Sequence, residues 1–203
     1  MSTIIHRKNL VYLDNGKKIV NSQDLLMVSL TKFFSEPKNI EKLLSIVQGE
    51  SHISLRIIDW FVTNYSKKMN TSYPIYEKNK NITEQFIVYL HYKLQLKGFS
   101  KKQFDPFCRR NRIPFHYINK KGENIKIFTT VGQLNFFRWA IRYKILDYIE
   151  NNIKKIENDM NTIQKDVYNK DNYEGSRKKR TELSKSATKT INKHKIKITL
   201  DFT

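Results

Sequence analysis

Between residues 22 and 65 apolar side chains recur every three or four positions, the spacing that gathers them on one face of a helix. Leu25, Leu26, Val28, Leu30 and Phe33-Phe34 supply the first such face, with Ser22 as its N-cap and Pro37 marking its end. Ile40, Leu43, Leu44 and Val47 form a second stripe, stopped at Gly49. Leu55, Ile58, Trp60-Phe61, Val62 and Tyr65 form a third, capped by Ser51 or Ser54. Its last turn carries Lys67-Lys68, which suit the negative end of a helix dipole. Ahead of these, Leu10-Val11-Tyr12-Leu13 and the stretch Lys18 to Val20 flank Asp14-Asn15-Gly16-Lys17. An Asn-Gly pair accepts the positive φ of a tight turn, so this segment predicts a hairpin.

The second half of the chain begins with a polar loop over 70–83, holding Pro74 and room for one short strand at Tyr73 to Tyr76. Residues 84–99 are read as a helix on Phe86, Leu90 and Leu94, although Tyr92, Leu94 and Leu96 also alternate as a strand would. Ser100 starts another short helix that ends near Arg112, with Pro106 in its first turns. Arg112 to Tyr117 and Ile125 to Phe128 flank Asn119-Lys120-Lys121-Gly122, a second hairpin signal. A long helix near residues 131–167 follows, capped by Thr130. Its first half is apolar all round and belongs in the core. Its second half spaces Ile149, Ile153, Ile156, Met160, Ile163 and Val167 by alternating fours and threes. That rhythm suits a homodimer seam and packing within one chain equally.

The pattern therefore predicts a mainly α (α+β) fold in three parts: 1–70 with an N-terminal hairpin and helices, 84–168 as a basic helix–hairpin–long helix region, and 169–203 as a basic flexible tail. The tail is almost free of large apolar side chains until Ile196 to Phe202, which alternate as an edge strand does.

Charge adds the first functional constraint. The 203 residues hold 38 Lys and Arg against 19 Asp and Glu, a formal charge of +19, while 39% hydrophobic content suffices for a core. Such an excess favours a polyanionic partner, although AT-rich codons also enrich Lys, Asn, Ile, Tyr and Phe. Cys108 is the single cysteine, which excludes an internal disulfide and a Cys-based zinc cluster. The N-terminus has no signal-peptide core and no apolar run reaches bilayer length, so an intracellular location with no membrane partner is expected.

The richest chemistry lies between Tyr92 and Phe128, where ten Lys and Arg stand against Asp105 and Glu123. Lys101, Lys102, Arg109, Arg110, Arg112, Lys120 and Lys121 are the expected phosphate ligands, with Phe115 or Tyr117 placed to stack a base. A helix followed by a basic hairpin also matches the helix-plus-wing layout of duplex readers, and solvated lysines over core aromatics would give the same pattern. Arg177-Lys178-Lys179-Arg180 offers a second basic cluster. No Gly-rich phosphate loop, His-Glu-x-x-His or Gly-x-Ser-x-Gly occurs and the five histidines lie far apart, so no catalytic residue, metal or cofactor is expected. Asp105 with Glu123, and Cys108 with His116, are the only pairs that could be bent toward catalysis.

Three stretches carry a family likeness: Phe104-Asp105-Pro106-Phe107-Cys108-Arg109-Arg110, the run Thr129 to Ile141, and Glu182 to Lys189. Over roughly residues 84–203 the chain resembles the uncharacterised basic proteins of large nucleocytoplasmic DNA viruses. The resemblance implies a viral protein acting in host cytoplasm, nucleus or virion, and assigns no catalytic residue. Non-enzymatic binding of nucleic acid, DNA or RNA, is the function expected. The alternative is a virion-assembly or protein–protein interaction factor with a basic docking surface.

Overall fold

The computed structural model describes residues 5–7, 10–12, 22–77, 82–119 and 122–173. In chain order its elements are β1 (Ile5–Arg7), β2 (Leu10–Tyr12), α1 (Ser22–Phe34), α2 (Pro37–Val47), α3 (Leu55–Trp60), a π-helical segment Phe61–Tyr65, α4 (Ser66–Lys68), β3 (Ser72–Glu77), β4 (Ile82–Ile87), α5 (Val88–Gln103), β5 (Ile113–Ile118), β6 (Asn124–Thr129), α6 (Val131–Arg142) and α7 (Ile145–Tyr173). The fold is mainly helical, and the strands pair only as antiparallel neighbours, β1 with β2, β3 with β4 and β5 with β6.

The helical stripes bury largely as their spacing predicts, except that Leu25 stays 53% exposed and that Ile46 and Ile57 join the buried faces. Leu26, Leu30 and Phe34 of α1, Ile40, Leu43 and Ile46 of α2, and Ile57, Ile58, Trp60, Phe61 and Val62 of the third helical run share one core with α6 and the first half of α7. Ser54 Oγ accepts from the Ile57 N–H and Thr130 Oγ1 from the Gln133 N–H, so both caps form where the sequence placed them. α1 runs alongside α6, and Arg138 of α6 donates to Ser29 Oγ at 2.8 Å.

Four expectations change. Leu10–Tyr12 is the return strand of the first hairpin, pairing Ile5 with Tyr12 and Arg7 with Leu10; Asp14-Asn15-Gly16 and the strand expected at Lys18 to Val20 lie outside the described residues. Residues 84–87 are strand, because Tyr73 and Phe86 face one another across β3–β4 with ring centroids 5.4 Å apart and the helix begins only at Val88. No helix covers residues 104–112. Asp105 precedes a proline and its carboxylate accepts from the Phe107 N–H, two features that favour a turn over a helix. The long helix kinks at Asn152 within α7 and is divided ahead of it, since Lys144 takes φ 54° and turns the chain between α6 and α7. No glycine or proline marks the break at Lys144.

The seam residues Ile149, Ile156 and Met160 are buried in the chain's own core, with Ile153 and Ile163 packed against it. Their apolar surface, which the spacing left open to a homodimer contact or to packing within one chain, is thus used within the chain, where α7 lies on α3. Asp159 joins the two by accepting from Trp60 Nε1 at 3.0 Å, and it also pairs with Lys68 of α4. The tail strand expected at 196–202 lies outside the described residues.

Candidate functional site

The loop after α5 and the first turns of α6 interlock. Asn135 Nδ2 donates to the Gln103 carbonyl at 2.8 Å, Gln133 Nε2 to the Pro106 carbonyl at 2.9 Å, and the Asp105 N–H to the Gly132 carbonyl at 3.2 Å. Gln133 Oε1 meanwhile accepts from Thr129 Oγ1. The loop after α5 is thereby clasped to the first turns of α6, and Phe104 drives its ring between Phe136, Trp139 and Tyr92. The contact is close because residue 132 is glycine. A Cβ there would lie 3.1 Å from the Lys102 carbonyl oxygen. Gly132→Ala is expected to lower stability by about 1 kcal/mol net, as overpacking costs about 1–3 kcal/mol against up to about 1 gained in helix propensity. A urea titration tests this; an unchanged midpoint would mean that the facing backbone yields.

Within the clasp Arg109 is already engaged. Its Nε and Nη2 donate to the two carboxylate oxygens of Asp105 at 3.0 and 2.7 Å, and its guanidinium lies 4.7 Å from the Phe107 ring centre. The hydrogen bonds to Asp105 raise the Arg109 pKa further, against the opposing effect of burial. Of the expected phosphate ligands, then, Arg109 serves first as a structural pair.

Lys101, Lys102, Arg110 and Arg112 are exposed. Lys102 and Arg110 line an open cleft of about 500 Å³ with Gln103, Asn111 and Ile113, closed on its far side by Gln23 of α1 and by Thr130 and Val131 at the start of α6. Neither cation forms an ion pair among the described residues. Burial pushes the Cys108 thiol's pKa up despite the neighbouring Arg112 guanidinium, which disfavours the thiolate a nucleophile would need. Lys120, Lys121 and Arg177-Lys178-Lys179-Arg180 lie outside the described residues.

The two aromatic rings expected to stack bases face inward. Phe115 is 4% exposed and meets Phe34 edge-on at 6.1 Å, leaving no free ring face. Tyr117, two residues on, is half-buried against the same core, and burial raises its hydroxyl pKa. The opposite face of the hairpin carries what the sequence reading missed. The register sets Pro114 opposite Phe128, His116 opposite Lys126 and Ile118 opposite Asn124, all six of them exposed. Phe128 is 65% exposed, with Lys126 Nζ 5.0 Å from its ring centre. Strand alternation counted from the turn would have separated Phe115 from Phe128.

Phe128 also borders a second cleft of about 300 Å³, where Lys126, Ile127 and Thr129 face Leu44 and Val47 of α2 and Gln48 just beyond it. Ile113 of the basic cleft pairs with Thr129 of this apolar one. The two clefts are therefore separated by the hairpin stem, whose strands stand about 5 Å apart.

The carboxylates do not converge. Asp105 sits in the clasp below the stem, while Glu123 accepts from Asn119 Nδ2 at the hairpin tip, with the six-residue β6, roughly 20 Å long, between them. Among the described residues no group of His, Cys, Asp and Glu side chains is gathered as a metal site requires, and no helix is long and apolar enough to cross a membrane.

Residues 8–176 match a protein family of unknown function, DUF7197, over most of the chain and the whole of the clasp. The chain belongs to this family. It is 45% identical over 148 residues to an uncharacterized protein of Acanthamoeba polyphaga mimivirus, an alignment covering 72% of this chain and 56% of that protein. The chain thus spans little more than half the length of the curated relative it matches. That relative is viral, in keeping with the likeness to proteins of large DNA viruses. No solved structure matches the chain.

Proposed function

We propose that the chain binds nucleic acid without acting on it, holding phosphates along the rim of the basic cleft. The observation that carries this reading is the pair Lys102 and Arg110, both exposed and lining one cleft without a carboxylate partner among the described residues, with Lys101 beside them and a chain charge of +19 around them. The clasp fixes the backbone that presents them, so little order is lost when a phosphate arrives. A viral context supplies genome and transcripts as ready polyanions.

The test is binding of the full chain to labelled single-stranded DNA, duplex DNA and RNA over a salt series. Log affinity is expected to fall steeply with log salt, and the double variant Lys102→Ala/Arg110→Ala to flatten that slope by about 2. Arg109→Ala is expected to act through stability instead. Absence of binding at low salt would overturn the proposal and favour the other reading, a particle-assembly factor whose basic face docks on an acidic protein.

A further inference from the structure

From the outer face of the β5–β6 hairpin we infer that the ligand is single-stranded nucleic acid, with an unpaired base stacked on Phe128 and the adjoining phosphates on the basic cleft. This rests on the nucleic-acid reading of that cleft and names the ligand class. Two observations carry it. A phenyl ring with most of its surface in water, on a two-stranded face whose other members are Pro114, His116, Lys126 and two further uncharged side chains, is a stacking platform in a positive field. No acidic residue stands on that face. The adjacent cleft, with Leu44 and Val47 as its far wall, gives a base an apolar wall beyond the ring. Lys126, now over the ring at 5.0 Å, is free to swing to the backbone of the strand that brings the base.

The second observation is what the described residues ahead of the hairpin lack for a duplex. A helix-plus-wing reader needs a helix ahead of the hairpin to enter the major groove. Here α5 ends at Gln103, Ser100 already interrupts it with φ 58° and ψ 168°, and residues 104–112 form the clasped loop. In duplex DNA the base faces are covered by their neighbours, and reaching one costs a few kcal/mol of unstacking. An unpaired strand presents those faces at no such cost. It can cross the stem with its phosphates over Lys102 and Arg110 and a base over Phe128, because the two clefts are only the stem apart.

Affinities of the full chain and its variants for four ligands decide the matter: a single-stranded RNA, a DNA strand of the same sequence, the corresponding DNA duplex, and a strand of that length made wholly abasic. Phe128→Ala is expected to weaken both single strands about tenfold and to leave the duplex and abasic strand unchanged, with Phe128→Trp restoring the loss. Because Phe128 is exposed, neither change touches the core. Lys102→Ala/Arg110→Ala is expected to weaken all four. If Phe128→Ala binds the single strands as tightly as the unaltered chain while the basic double variant fails, the stacking inference falls and the cleft reading stands. If no ligand binds the unaltered chain, both fall. The preference between RNA and DNA strands identifies which source the face serves.

Discussion

Phe104→Ala is expected to cost about 3–5 kcal/mol, the usual consequence of emptying a buried aromatic site. Phe104 is 2% exposed, and its ring centre lies 5.1 Å from that of Phe136 and 5.3 Å from that of Trp139, so the cavity would open among rings too large to close it. At about 2–4 °C per kcal/mol for a chain of this size, the thermal midpoint should fall by roughly 10 °C. Thermal unfolding followed by circular dichroism measures it. Phe104→Leu, which keeps much of the volume, should lose less than half as much. A loss below about 1 kcal/mol for the alanine variant would show that the loop after α5 is held by its hydrogen bonds alone.

The second large effect belongs to Asp105. Its carboxylate is almost wholly buried and satisfies the Arg109 guanidinium and the Phe107 N–H together. Removing one partner of a buried ion pair costs about 3–5 kcal/mol. Arg109 is 39% exposed and recovers water when released, which brings the expected cost of Asp105→Ala to about 2–3 kcal/mol. Asp105→Asn retains an acceptor for the Phe107 N–H and one for the guanidinium, and should cost clearly less. Urea titration of the two variants separates charge from hydrogen bonding: equal losses would show that the carboxylate's charge, and no particular hydrogen bond, holds the loop.

The helices of the first half were legible because each buries one stripe and ends at a residue with a mechanism, Ser54 as a cap and Gly49, at φ 75°, as a stop. The breaks that went unread are those without such a residue. Lys144 turns the chain from α6 into α7 in a left-handed conformation that costs a lysine about 1–2 kcal/mol. What offsets it is tertiary: Ile145 and Ile149 bury completely on the far side of the turn. Strand β3 was expected at Tyr73 to Tyr76, but its partner β4 escaped for a related reason, since the apolar residues after Ile87 continue without pause into α5 and only the pairing of Tyr73 with Phe86 divides strand from helix.

The candidate site was legible as a region and misread as a geometry. Charge density located Lys101, Lys102, Arg110 and Arg112, which are all exposed. Charge alone could not tell that Arg109, identical in type to its neighbour, spends its hydrogen bonds on Asp105. Nor could aromatic content tell which rings face out. Phe115 and Phe128 are equally apolar, and only the pairing of Pro114 with Phe128 assigns them to opposite faces.

That pairing constrains how the region can diverge in length. The β5–β6 ribbon is two-sided, with Phe115 and Ile127 directed to the core and Phe128, Lys126 and His116 to solvent. One residue inserted within either strand would invert everything beyond it, sinking a lysine or histidine among the core rings while lifting an apolar partner into water. Between Asn119 and Glu123, closed by Asn119 hydrogen bonds and a glycine at φ 82°, the chain can grow or shrink and leave both sides as they are. Insertions and deletions are thus admitted at the tip and refused along the ribbon, which holds the distance from the clasp to Phe128 fixed.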